Sequence, residues 1–288
     1  MQGVVFFATL RWATLRWATL RWATLRWATL RWATLRWATL RWRWVGFFAA
    51  LLTAWALLFA MQPEVVAPEG WEVLGADYWA AICRAAVEDA SYLAVLAMWG
   101  LMSAAMMAPT AVPAFKSYDD LTHTDAADAA GFGSFIGGYL MAWLGFSILA
   151  AALQVTLANA GALDVEGRSL LPWLNTALLA GAGLYQFSPV KEACLSKCRA
   201  PMMFFMAEWR PGRTGALVMG LRLGAVCIGC CWALMLLGFV GGVMSLAWMG
   251  AAMLLMAFEK LPALGRYLTR PLGGLLLLCS LWSLFGAI

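Results

Sequence analysis

Long apolar runs separated by short polar connections set the pattern of this chain. Several runs reach the length of about 20 residues that the hydrocarbon core of a bilayer demands. The pattern predicts an all-α fold, a polytopic transmembrane helix bundle of about seven spans at 44–61, 91–110, 132–158, 171–188, 215–240, 243–258 and 271–287. Spans five and six are joined by little more than Gly241-Gly242, which predicts a tight hairpin. Gly220-x3-Gly224 and Gly133-x3-Gly137 have the small-residue spacing that lets membrane helices approach closely.

Residues 8–42 break this pattern. They are seven copies of Ala-Thr-Leu-Arg-Trp, and a period of five matches neither the helical repeat of about 3.6 nor a strand, so no apolar stripe forms. Residues 1–43 therefore read as a low-complexity leader and 44–288 as an integral membrane domain. The leader lacks the compact apolar region of a cleavable signal peptide. Its arginines, beside the first span, place the N-terminus in the cytoplasm by the positive-inside rule. Segments 189–213 and 259–270 then fall inside with Lys191, Lys197, Arg199, Arg210, Arg213, Lys260, Arg266 and Arg270, while the acidic segment 62–90 falls outside. One loop runs against the trend: 111–131 is expected inside yet carries Asp119, Asp120, Asp125 and Asp128, which count little in the rule.

Composition agrees with a membrane protein: 64% of residues are hydrophobic and the mean hydropathy is +0.77. The formal charge of +5 comes from the leader, because eight of the 20 Lys and Arg residues lie there. The remainder is net acidic, which argues against a nucleic-acid partner. The expected partner on these grounds is the lipid bilayer.

The candidate chemistry is soft-metal ligation. In GLRLGAVCIGCCWALMLLGFVGG (220–242), Cys227, Cys230 and Cys231 step by three and four, so their thiols share one helix face, with Met235 one turn beyond. Thiolates select Cu(I), zinc or iron–sulfur clusters over hard cations. A second pair, Cys194 and Cys198, is spaced i,i+4 if Pro189 opens a helix. Lys191, Lys197 and Arg199 around it are expected to favour the thiolate form. Met102 and Met106 lie in a stripe with Met98 and Met107. Met249, Met253 and Met256 form another, and Met202, Met203 and Met206 follow the second thiol pair. Such stripes usually pack cores, but thioethers favour copper(I) over zinc. His123, the single histidine, reads as solvated, and Arg222 within span five is expected to snorkel or to pair with Glu259. No catalytic triad, phosphate loop or paired intramembrane carboxylates accompany these residues, which disfavours a hydrolase or a nucleotide-driven pump.

The segments WGLMSAAMMAPTAVP (99–113), YQFSPVKEACLSKCRAP (185–201), CIGCCWALMLLGFVGGVMSLAWM (227–249) and EKLP (259–262) resemble the DUF2182 family of bacterial integral membrane proteins, described as predicted metal-binding. The resemblance covers about residues 90–285. It implies Cys194, Cys198, Cys230 and Cys231 as ligands, with Gln186, Lys191, Glu259 and Lys260 as further motif positions. Residues and resemblance together point to copper delivery, homeostasis or transport by a non-enzyme in the bacterial inner membrane, with a copper-donor or copper-acceptor protein as the expected partner. In this reading the metal rests on Cys227, Cys230 and Cys231 and exchanges at Cys194 and Cys198. A membrane thiol oxidoreductase and a non-catalytic scaffold are the alternatives.

Overall fold

The computed structural model describes residues 42–60, 91–122, 131–164 and 166–285. The repeat tract up to Arg41, segment 62–90 and His123 lie outside the described residues. Among the described residues the chain is helical, with no strand beyond one isolated bridge between Leu163 and Ser169. The helices are α1 (Trp42–Ala60), α2 (Tyr92–Thr110), α3 (Val112–Leu121), α4 (Gly131–Asn159), α5 (Pro172–Tyr185), α6 (Pro189–Arg199), α7 (Pro201–Glu208), α8 (Gly212–Leu236), α9 (Gly238–Gly241), α10 (Leu246–Lys260) and α11 (Gly265–Leu284). The fold divides within α1, between Ala50 and Leu51. In the first unit, Trp44 packs on Phe47 and Phe48 along the helix.

Local sequence explains the breaks. Helices α5, α6 and α7 each open on a proline, whose missing N–H and fixed φ suit the first helical position. Ser188 caps α6 by accepting from the Val190 amide at 3.2 Å. Ser245 caps α10, just after Gly242 reverses the chain at φ 95°. The loop before α5 is tied to α9, with the Ser169 amide donating to the Phe239 carbonyl at 2.7 Å.

Helices α2, α4, and the stretch Gly212–Gly241 that joins α8 to α9, are long and apolar enough to cross a membrane. Helices α5 and α10, at 14 and 15 residues, are shorter, and α11 opens on Arg266 and Arg270. Packing of α8 on α4 forms the centre. A Cβ at Gly220 would overlap the Phe135 backbone, and one at Gly224 would lie 2.9 Å from the Tyr139 carbonyl oxygen. The partner glycine on α4 is Gly138, which faces the backbone of Leu217 and Leu221. Gly133 and Gly137, expected from spacing to make the close contact, have nothing within 4 Å. Polar contacts fasten α2 to the other side of α4: Trp99 Nε1 donates to Gln154 Oε1 at 2.6 Å, and the Ser103 and Ser147 hydroxyls bond at 3.1 Å. Close contact of Gly183 with Leu277 seats α5 on α11.

Candidate metal centre

The glycine-mediated approach of α8 to α4 continues one turn further into the thiol cluster. Cys227, Cys230 and Cys231 are buried, and their sulfur atoms all lie within 4.8 Å of one another. Cys230 Sγ is 3.2 Å from Cys231 Sγ, and its thiol donates to the Cys227 carbonyl at 3.1 Å. Cys227 Sγ faces two groups from other helices. The Tyr139 hydroxyl of α4 is 3.1 Å away, and the Lys260 ammonium, at the end of α10, donates to the sulfur at 3.0 Å. Lys260 also donates to Thr110 Oγ1 of α2 at 2.6 Å. Thr110 and Tyr139 both donate to the carbonyl of Met107, so this rim is bonded across α2, α4 and α10.

Helix α6 brings the second thiol pair to the same place. As expected, it begins at Pro189 and sets Cys194 and Cys198 one turn apart. Cys198 is in hydrogen-bond reach of Cys227 and Cys230. Cys194 Sγ lies 2.7 Å from where a Cβ on Gly229 would stand, so glycine at 229 is what admits the sulfur to the α8 surface. The Tyr185 hydroxyl donates to the Gly229 carbonyl, and its ring packs on Trp232 at 5.2 Å between centroids. The two thiol sets, read from sequence as separate stations, form one continuous group. Cys227, Cys230 and Cys231 are buried, and Cys194 and Cys198 are half-buried.

The flanking charges follow a different plan from the expected one. Lys191 Nζ and Glu259 Oε2 form an ion pair at 2.9 Å with both side chains 1% exposed. Arg199 pairs with Glu192 at 3.1 Å and donates to the Glu259 carbonyl at 2.9 Å. These cations were expected to stabilise thiolates at Cys194 and Cys198. Instead, burial pushes the Cys194 thiol up from its ordinary value, with the Lys197 ammonium opposing the rise. Hydrogen bonding with Cys227 holds the Cys198 thiol well above its ordinary value. Arg222 pairs with Glu208, not with Glu259, because Lys191 already occupies that carboxylate.

Met102, Met106 and Met235 are buried in the bundle, and Tyr139 and Lys260 hydrogen-bond Cys227 Sγ. Met202, Met203 and Met206 are exposed on α7. Gln186 is buried with neither amide atom hydrogen-bonded among the described residues. The motif positions Lys191, Glu259 and Lys260 are all buried. A charged Glu-Lys pair closing an apolar helix was the available signal that both side chains turn inward.

This donor set is soft and compact. Three sulfurs converge, a fourth and a fifth adjoin them, and Glu259 is held by a lysine. That chemistry fits a thiophilic ion held as cargo. No curated protein and no solved structure matches the chain. A family model described as PpoB2, copper chaperone, matches residues 96–283, well over half of the chain. The match supports the metal-related character expected from the motifs without carrying the DUF2182 name. It spans both thiol sets, Thr110, Tyr139 and Lys260, and on this extent the chain belongs to the PpoB2 copper chaperone family.

Proposed function

We propose that this chain is a multi-pass membrane protein that carries Cu(I) on Cys227, Cys230 and Cys231 and exchanges it through Cys198 and Cys194. The observation that carries the reading is the convergence of the α6 pair on the α8 triad, which grades from half-buried to buried sulfur. Neighbouring thiols can pass a soft ion by replacing one ligand at a time, without a large motion. Delivery to, or acceptance from, a copper-handling partner protein suits such a path, and no reaction of the chain's own is needed.

The membrane reading extends the three long apolar helices to seven spans, with shorter helices packed beside them. Large apolar side chains on the outer faces of α4 and α11, among them Leu149, Leu278 and Leu281, support contact with lipid. In the topology read from the basic segment 189–213, α6 lies at the cytoplasmic face of the inner membrane, with the half-buried Cys194 and Cys198 on that side. The leader is a low-complexity extension preceding the membrane domain.

A thiol oxidoreductase is the second reading, favoured by the 3.2 Å approach of Cys230 and Cys231 sulfurs. It requires quinone or a partner disulfide as electron acceptor. Measuring Cu(I) stoichiometry of the detergent-purified protein under reducing conditions, against a variant with Cys194, Cys198, Cys230 and Cys231 all changed to Ser, separates the two. Copper in the parent and none in the variant is the expected result. Equal, negligible copper in both overturns the cargo reading, and thiol trapping before and after mild oxidant then tests the redox one.

A further inference from the structure

We propose that the buried methionines of α2, α8 and α10 form a thioether conduit that continues the thiol group away from α6, so that Cu(I) crosses the bundle instead of leaving by the side it entered. The inference rests on the copper reading above and gives the cargo a second exit.

The helices are fixed in register at both ends. At the near end, Lys260, the last residue of α10, donates to Thr110, the last residue of α2, at 2.6 Å and to Cys227 of α8 at 3.0 Å. At the far end, Trp99 of α2 packs on Phe239 of α9 at 5.8 Å between centroids. A Cβ on Gly241 there would overlap the ring of Trp248, in the first turn of α10. Helices α2 and α10 therefore both end beside Cys227, and α8 runs away from it in the opposite sense. Four helical residues rise about 6 Å. Met106 lies four residues from Thr110, Met256 four from Lys260 and Cys231 four from Cys227. Met102 and Met235 lie eight residues from the same anchors, and Met98 and Met249 twelve and eleven. Each step away from the triad thus meets thioethers at a common depth, up to the layer closed by Trp99 and Phe239. All six methionines are buried, at 4% exposure or less.

No charged side chain occurs in 92–110, 228–241 or 246–258, so sulfur is the only soft donor at these depths. Thioethers are neutral and soft, which suits Cu(I) and offers nothing to a hard cation. Passage needs several sites in series, each strong enough to admit the ion and weak enough to release it. The three rotatable bonds of methionine let a sulfur swing from one depth toward the next, whereas leucine would fill the same space without a donor. Met235, one turn beyond Cys231, joins the ladder to the triad there, while Cys198 reaches Cys227 and Cys230. The two routes engage the triad through different sulfurs.

For the test, the full chain is reconstituted into lipid vesicles with an impermeant chromophoric Cu(I) chelator trapped inside, and Cu(I) is supplied outside under reducing conditions. Wild type is expected to deliver Cu(I) to the lumen well above protein-free vesicles. Changing Met102, Met106 and Met256 together to Leu is expected to slow delivery on the order of tenfold. In detergent the same variant should keep the wild-type Cu(I) stoichiometry and thermal midpoint. Met219→Leu, which alters a buried methionine two turns on the other side of Cys227, should deliver like wild type. Unchanged delivery in the triple variant, or an equal loss in Met219→Leu, overturns the conduit and leaves the methionines as packing. Lost stoichiometry in the triple variant overturns it too, by making the thioethers resident ligands. Should the triple variant not fold, Met102→Leu alone decides: several-fold slower delivery upholds the conduit and an unchanged rate overturns it. Wild type that binds Cu(I) in detergent yet delivers none overturns this inference alone, whereas wild type that binds no Cu(I) overturns the copper reading itself.

Discussion

Two groups of soft side chains, each spread over one helical turn, meet opposite fates. Cys227, Cys230 and Cys231 on α8 are buried against α4, α6 and the end of α10. Met202, Met203 and Met206 on α7 face outward, with Met206 at 74% exposure. Helical spacing places residues on one face but does not say what covers that face. On α8, Gly220 and Gly224 allow the neighbouring backbone so close that the cysteines of the same face are enclosed one turn later. On α7, Phe204 and Phe205 take the inward side. Phe205 packs on Phe135 and Tyr118, and larger aromatic area outcompetes thioether for the core. The comparison teaches that ligand candidates are better ranked by the small residues beside them than by their own periodicity.

The largest effect is expected from attacking what encloses the thiol region. Lys191→Met leaves the Glu259 carboxylate buried without its ammonium, and loss of one partner of such a pair costs about 3–5 kcal/mol. Thermal unfolding in detergent should show this as a large drop in midpoint. The double variant Lys191→Met with Glu259→Gln should recover most of it. A drop no larger than that of an exposed lysine would mean that the pair does not hold α6 to the end of α10.

A smaller effect is expected from Gly229→Ala. The new Cβ would stand 2.7 Å from Cys194 Sγ, so α6 must shift or the sulfur must rotate away. Overpacking of this kind costs about 1–3 kcal/mol. The telling readout is the rate at which a chelator removes Cu(I), which should slow as Cys194 is displaced from the triad. Unchanged removal would place the exit route elsewhere than α6.

How far the sequence foretold this site varies residue by residue. The α8 triad followed from spacing and hydropathy, and the α6 pair from a proline that opens a helix, because both are local. Convergence of the pair on the triad was not legible: it depends on Gly229 admitting Cys194 and on Tyr185 bonding the same turn, contacts separated by tens of residues. Charge pairing misled for the same reason. Arg222 is expected from sequence to snorkel or to pair with Glu259 across the hairpin, whereas Lys191 claims Glu259 and Arg222 takes Glu208 from the adjoining helix. The helix ends agreed with the apolar runs to within a few residues for α2, α4 and α10. Length and composition singled out three membrane-length helices, since α5 and α10 are short and α11 begins with arginines.

The smallest expected effect tests the other side of the comparison. Changing Met202, Met203 and Met206 together to Leu keeps apolar volume on an exposed face of α7 while removing every thioether there. Stability should move by no more than about 0.5 kcal/mol, as exposed substitutions usually do. Copper stoichiometry should be unchanged, because Cys194 and Cys198, not the α7 methionines, approach the triad. Loss of copper uptake with stoichiometry at saturation intact would give the stripe a role in capture before the cysteines take over. Loss of stoichiometry itself would make the thioethers resident ligands and end the distinction between a buried sulfur site and a surface that merely resembles one in sequence.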